Sequence, residues 1–377
     1  MHKVLLLGAG KIGSLISTLL ATTGDYEVHI ASLEAQQLQN LRDKLRPHPV
    51  TIFELDANNE QALDALMAKN SYQAVISGLP YYCNPAVADM AAKHGTAYFD
   101  LTEDVDVTQH VQKISQGKQQ VFMPQCGLAP GFISIAANAL MQDFDELNMV
   151  KMRVGALPTN PNNTLKYSLT WSTDGLINEY GNTCYGIEDG KLTALQPLEG
   201  YETITLDGVL YEAFNTSGGL GTLAQSYDGR ITSLNYKTMR YPGHCDIIKL
   251  LMNELKLNDD RDTLKRIFEN AIPKTPQDVV LIYVAVNGAI NGEFIEKNYL
   301  RKVYPQTIAG SDWSSIQVTT ASGICAVIDI VLNSPGRFSG FTTQERIPLT
   351  EFLANRFGQY YEKGDRRCGP VPTNLTD

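Results

Sequence analysis

Long apolar runs, paired cysteines and concentrated positive charge are all scarce in this chain of 377 residues, and each scarcity removes a class of function. No stretch approaches the ~18 consecutive apolar residues of a bilayer span. The apolar start, Val4 to Leu7, breaks into glycine too soon for a secretory signal. A soluble protein without a membrane partner is expected. The six cysteines, Cys83, Cys126, Cys184, Cys245, Cys325 and Cys368, stand singly. Without a C-x-x-C pair or a cysteine-histidine cluster they offer neither a disulfide framework nor a metal site. Reduced thiols, a cytoplasmic location and no metal are expected. Lysine and arginine total 31 against 41 aspartate and glutamate, a net charge of -10. With no basic stripe, nucleic acid is a poor partner and a small molecule a better one. The only two tryptophans, Trp171 and Trp313, read with the tyrosines as core or dimer contacts rather than a ligand box.

What the chain does have is a glycine turn at its start, where Met1 to Gly13 read MHKVLLLGAGKIG. Val4 to Leu7 suits a strand buried on both faces of a parallel sheet. Gly8-Ala9-Gly10-Lys11-Ile12-Gly13 is then a G-x-G-x-x-G turn opening an apolar helix over Leu15 to Leu20. In that pattern Gly8 permits the tight turn, Gly10 lets backbone approach a pyrophosphate, and Gly13 lets the helix pack closely on the strand. The free helix N–H groups around Lys11 and Ile12 face the anion. NAD or NADP is the expected cofactor.

The length exceeds what one hydrophobic core usually supports, so two domains are expected. Tyr26 to Ser32 reads as the second strand, and its last position matters. A carboxylate there would bond the ribose 2′-hydroxyl of NAD, and an arginine beside it would suit a 2′-phosphate. Ser32 followed by Leu33 supplies neither, so the two cofactors are not distinguished. A helix over Leu33 to Leu45 and a third strand over Thr51 to Leu55 follow. Asp56 could meet the adenine or cap the helix Glu60 to Lys69. Gln73 to Ser77 is a fourth strand, broken by Gly78-Leu79-Pro80, which should line the nicotinamide half of the crevice. After a helix over Ala86 to Lys93, the strand Ala97 to Phe99 delivers Asp100, Thr102 and Glu103 to the same edge. A sixth strand, Gln120 to Met123, ends in the shaped loop Pro124 to Gly131 (PQCGLAPG), and Phe132 to Leu140 returns to helical spacing.

From about Asn148 the pattern changes to longer alternating runs, Val150 to Val154 and Leu165 to Trp171. This suits a mixed or antiparallel sheet in a second, α+β domain. Val279 to Val286 reads as a buried strand, Ser314 to Ile330 as a helix, and Ile347 to Tyr361 as an amphipathic helix, before a loose tail from Gly364. The fold class is α/β: a doubly wound parallel sheet over 1–130, then a second domain over 131–324.

Several stretches, taken in order, match a known pattern: GAGKIG at the start, GLP at Gly78 to Pro80, CGLAPG at Cys126 to Gly131, DGLINEY at Asp174 to Tyr180, and TMRYPGH at Thr238 to His244. With them the chain resembles the saccharopine dehydrogenase family, from Met1 to about Tyr361, and within it most resembles the lysine 6-dehydrogenase branch. The resemblance implies a Rossmann domain rejoined by about 325–365, a central substrate and dimerisation domain, a tail over 366–377, and a homodimer. It also implies NAD(P)-dependent oxidation of a C–N bond of an amino acid. Ala129 departs from the saccharopine reductases, which carry aspartate there, and this tilts the expectation to lysine deamination. The alternatives are a saccharopine dehydrogenase acting on a secondary amine and a nicotinamide-binding module without turnover.

Oxidising an amine by hydride transfer needs a neutral nitrogen, and a free lysine ε-amine has a pKa of ~10.4, so a base is required. Asp100 and Glu103 could hold the ammonium and accept its proton, or could simply be loop carboxylates or cap the following helix. His244, in a glycine- and proline-shaped loop, could relay a proton or serve the fold. Arg240 offers a fork for the α-carboxylate. Lys166, Tyr167, Asp174 and Glu179 could contact a zwitterionic substrate, with Gly127 and Leu128 of the shaped loop beside it. Cys126 has no adjacent base, and the chemistry needs no thiol nucleophile.

Overall fold

The structure, a computed structural model, describes residues 1–363; the expected loose tail lies outside the described residues. The chain begins with six parallel strands, β1 (His2–Leu7), β2 (Tyr26–Ser32), β3 (Val50–Glu54), β4 (Ala74–Ser77), β5 (Ala97–Asp100) and β6 (Val121–Met123). Their spatial order is 3-2-1-4-5-6, and the late Gly340–Phe341 segment pairs parallel beyond β6. The apolar run of β1 is buried throughout, as a strand covered on both faces requires. Leu7 pairs with Ala31 on one side and Ser77 on the other. The turns after β1 and β4 therefore leave the sheet side by side, where the strand order reverses.

The second sheet holds β7 (Glu146–Pro158), β8 (Cys184–Glu188), β9 (Lys191–Leu195), β10 (Glu202–Leu206), β11 (Val209–Asn215), β12 (Ser233–Arg240), β13 (Asp278–Ile290) and β14 (Glu293–Val303). It is mixed: β12 runs parallel to β7, and the other pairings are antiparallel. The Ser315–Leu332 helix then packs on the Lys11–Thr22 helix and on β13. Its N-terminus is capped by Ser314 and Gln317 and by both carboxylate oxygens of Asp278, which accept from the Ser315 and Ile316 amides at 2.6 and 3.1 Å. One apolar core runs from Leu6 through Val327 to Val284, joining the two sheets.

Three sequence expectations change. Leu165 to Trp171 forms no strand, because the Asn163 side chain takes both backbone groups of Tyr167 at 3.2 and 2.7 Å and Lys166 turns to φ 52°. Ile347 to Tyr361 is not one helix but two short ones, Leu349–Ala354 and Tyr360–Lys363. Between them Gly358 lies against the Phe352 carbonyl, where a Cβ would come within 1.7 Å of the oxygen. Against the expectation that no stretch approaches a bilayer span, the Ser315–Leu332 helix has the length and composition of one, but 83% of it is buried inside the fold. The helix that follows Asp100 and Glu103 is Val105–Ile114, and neither of them caps it: Asp104 does, accepting from the Val107 amide at 2.9 Å.

The core helix is tied to both ends of its domain through Asp329. Its carboxylate accepts from Tyr26 Oη at 2.7 Å, Arg356 Nη2 at 2.7 Å and Asn355 Nδ2 at 2.8 Å. Removing a buried carboxylate strands its partners. Asp329→Ala is expected to cost about 3 kcal/mol of stability, read as a lower urea midpoint with unchanged slope.

Candidate active site

The edge of the parallel sheet faces the second sheet across a cleft of about 390 Å³. One wall is the glycine turn, Gly10 to Gly13, with Gly78 to Tyr81. The floor comes from alternate residues on two adjacent strands, Val154 and Ala156 of β7 and Tyr236, Thr238 and Arg240 of β12. A third wall carries Trp171, Gly175 and Glu179, spaced four apart so that they share one face at the Thr173–Gly181 helix. The loop Gly127 to Pro130 closes the cleft. Gly131, at φ 131°, permits that loop: a Cβ there would stand 2.1 Å from the Gly127 oxygen.

The turn fits a dinucleotide. A Cβ on Gly13 would lie 2.0 Å from the Gly8 oxygen, so only glycine lets the helix start this close to the strand. Nothing lies within 4 Å of where a Gly10 Cβ would be, and no side chain caps the helix there. The first helical N–H groups thus meet an open cradle suited to a pyrophosphate. Lys11 also lines the cleft; burial and the neighbouring charge of Lys274 lower its pKa. Ser32 ends β2 half-buried, with its carbonyl accepting from the Leu55 amide at 3.0 Å. Asp56 does not cap the following helix. Asn59 does, and Asp56 instead accepts from the Asn58 amide at 2.9 Å.

Three carboxylates line the cleft, Glu103 from the first domain and Asp174 and Glu179 from the second. Burial pushes the Glu103 carboxyl up to about 7, helped by the charges of Asp104 and Asp100. Burial likewise pushes Glu179 up to about 7; Arg240 opposes the shift and Glu103 adds to it. Glu179 Oε2 has no hydrogen-bond partner and lies 3.6 Å from Arg240 Nη2. Arg240 itself is held from behind: Nε donates to Tyr180 Oη at 2.8 Å, and Nη1 donates to Thr238 Oγ1 at 2.6 Å and the Met239 carbonyl at 2.9 Å. Its remaining nitrogen, Nη2, is available to a carboxylate in the cleft.

Other sequence candidates take different roles. Asp100 is fully buried and does not border the cleft; it accepts from Tyr98 Oη and from the Thr102 and Gln125 amides at 2.7, 3.0 and 2.8 Å, which fixes the start of the shaped loop. His244 does not border the cleft either. It lies 2.9 Å from Tyr180 Oη through Nε2 and 2.8 Å from the Leu165 carbonyl through Nδ1. Burial and the Arg240 charge lower its pKa to about 3, so a neutral ring donates to Leu165 and accepts from Tyr180. Lys166 turns away and donates to the Pro242 carbonyl at 2.7 Å. Tyr167 is buried behind Arg240, its ring centroid 4.9 Å from the guanidinium carbon. Trp171, read as core, is a cleft wall, as are Gly127 and Leu128. Cys126 is buried and bonded to Met123 and Gln344. Tyr236 and Thr238, not among the sequence candidates, reach the cleft floor by their alternation with Arg240 along β12.

Two consequences can be measured. Gly13→Ala is expected to weaken dinucleotide binding at least about tenfold, read by titration calorimetry, because the turn must open. Glu179 has its pKa above the ordinary 4.5 of an unfolded chain, so the folded protein holds the extra proton and loses stability as pH rises from about 4.5 to 7. Glu179→Gln is expected to raise the denaturation midpoint relative to the parent above pH ~7 and to lose that advantage below pH ~4.5.

The model of the saccharopine dehydrogenase NADP binding domain matches residues 4–121, and that of the saccharopine dehydrogenase C-terminal domain matches 127–355. The NADP(+), L-glutamate-forming saccharopine dehydrogenase of Saccharomyces cerevisiae is 24% identical over 284 residues, 69% of this chain and 60% of that enzyme. The Pyricularia oryzae enzyme of the same name is 23% identical over 280 residues, 72% of this chain and again 60% of the relative. The aligned region thus falls short of two thirds of these relatives. A solved structure of the L-Glu-forming saccharopine dehydrogenase from Saccharomyces cerevisiae superposes with a TM-score of 0.74, covering 96% of each chain at 17% identity. The chain belongs to the saccharopine dehydrogenase family, and its first domain is that family's nicotinamide dinucleotide-binding domain.

Proposed function

We propose that the protein is an NAD(P)-dependent dehydrogenase that oxidises a C–N bond of an amino acid, with the ε-amine of lysine as substrate. The observation that carries this reading is the charge of the cleft. Three carboxylates, Glu103, Asp174 and Glu179, line it, against Lys11 on the cofactor turn and Arg240 on the floor. Asp174 is paired with Lys265 at 2.8 Å, which leaves Glu103 and Glu179 for a cation. A molecule with one carboxylate for Arg240 and two ammonium groups suits this arrangement better than saccharopine, which carries three carboxylates. Ala129, which lines the cleft where the saccharopine reductases have aspartate, supports the same reading.

In this mechanism Arg240 holds the α-carboxylate through Nη2. Glu103 takes a proton from the ε-ammonium, whose own pKa falls as the cleft strips its water. Glu179, close enough to Glu103 for that charge to raise its own pKa, steadies the positive charge that remains as the iminium forms. The bound nicotinamide supplies the hydride acceptor. Tyr180, His244 and Tyr167 keep the guanidinium in place without touching substrate. The second reading, oxidation of the secondary amine of saccharopine, is favoured by the names of the relatives.

An amino acid panel assayed with both NAD and NADP separates the readings. Lysine-dependent cofactor reduction with saccharopine inert supports the first; the reverse supports the second; tight cofactor binding with no oxidation of any amine contradicts both. With the active amine, kcat/KM is expected to rise through pH ~7 as the carboxylate pair loses its proton. Glu103→Gln should lower kcat about 100-fold or more and abolish that limb of the profile.

A further inference from the structure

Glu103 borders a second cavity as well as the interdomain cleft. This cavity, about 410 Å³, lies between the start of the Val105–Ile114 helix and the end of the Thr173–Gly181 helix. Its wall is polar apart from Val105, Gly181 and the Tyr185 ring, with Asp106, Gln109, Asn182, Thr183 and Ser217 around it. Asn178, only 6% exposed, also lines it. Its Oδ1 is held by Arg261 Nη1 at 3.0 Å, while its Nδ2 faces the Glu103 carboxylate, whose pKa it lowers, without a close hydrogen bond. The same Arg261 nitrogen holds Asn182 Oδ1 at 2.8 Å. A buried donor without a close hydrogen bond, between a carboxylate and a polar cavity, is a place for water.

The proposed reaction needs such a place. With lysine, RCH2NH3+ gives its proton to Glu103; RCH2NH2 and NAD(P)+ become RCH=NH2+ and NAD(P)H; then RCH=NH2+ and H2O become RCHO and NH4+. Each turnover consumes one water and returns one proton to solvent from Glu103. The cleft, at about 390 Å³, has to hold the nicotinamide end of the cofactor and the amino acid together, so water has little access from the front. We propose that the second cavity is the water and proton passage of the site: water reaches the imine carbon past Glu103, and the proton held by Glu103 leaves the same way. This rests on the reading of C–N oxidation above, and holds for lysine or a secondary amine because both imines require hydrolysis.

The passage can be filled from either wall at exposed positions that touch neither cofactor nor substrate. Thr183→Trp fills it from the second domain and Gln109→Phe from the first. Cofactor reduction and carbonyl release are followed separately in single and multiple turnovers. Each variant is expected to keep the rate of hydride transfer within about twofold and to release carbonyl product about tenfold more slowly, so that a burst of reduced cofactor precedes the steady state. Should one variant not fold, the other decides, since they sit on separate elements. Carbonyl release at the parent rate in a folded, filled variant overturns the passage alone, and so does an equal loss in both steps. A parent protein that reduces no cofactor with any amine overturns the reaction and the passage together.

Discussion

The buried guanidinium of Arg240 is the constraint on which the cleft depends. Taking such a charge out of water costs several kcal/mol unless partners replace the lost solvation. Here the replacement is partial: Tyr180, Thr238 and a backbone carbonyl take two of the three nitrogens, and Glu179 stays at 3.6 Å from the third. The support continues outward. Tyr180 is held by His244, and the helix that begins at His244 is capped by Glu212, which accepts from the Gly243 and Cys245 amides at 2.7 and 2.6 Å. Packing behind the cation leaves Nη2 with unmet bonding capacity toward the cleft, where a substrate carboxylate would complete it.

The fold converts that local constraint into an interdomain site. Arg240 and Glu179 belong to the second domain, Glu103 and the glycine turn to the first, and the Ser315–Leu332 helix packs against both. Its Asp278 cap ties the helix start to β13, while Asp329 near its other end ties it to β2 and the chain segment after Asn355. Two carboxylates with values near 7 are a product of this closure, since burial between the domains is the main cause of both shifts.

What was legible in the sequence was local. The strands and helices from His2 to Met141 have boundaries set by glycine, proline and apolar runs a few residues away, and the G-x-G-x-x-G turn carries its own steric logic. The Leu165 to Trp171 stretch misled because alternation measures side-chain pattern, whereas the Asn163 side chain decides where that backbone's hydrogen bonds go. His244 and Asp100 carry side chains suited to proton transfer, but burial, a tertiary property, makes one a neutral support and the other a loop anchor. Glu103 could be placed at the sheet edge from the sequence, and its partner Glu179 could have been ranked higher from the four-residue spacing with Gly175 and Trp171. The role of the pair emerges only when the two domains meet.

In the proposed reaction the hydride comes from the carbon bearing the lysine side-chain amine. Lysine deuterated at the ε-carbon, incubated with the protein and the oxidised cofactor, tests it directly by mass spectrometry. Deuterium is expected on the reduced nicotinamide, with one deuterium left on the aldehyde carbon of the product. Unlabelled reduced cofactor, or label transferred only from lysine deuterated at the α-carbon, would contradict it.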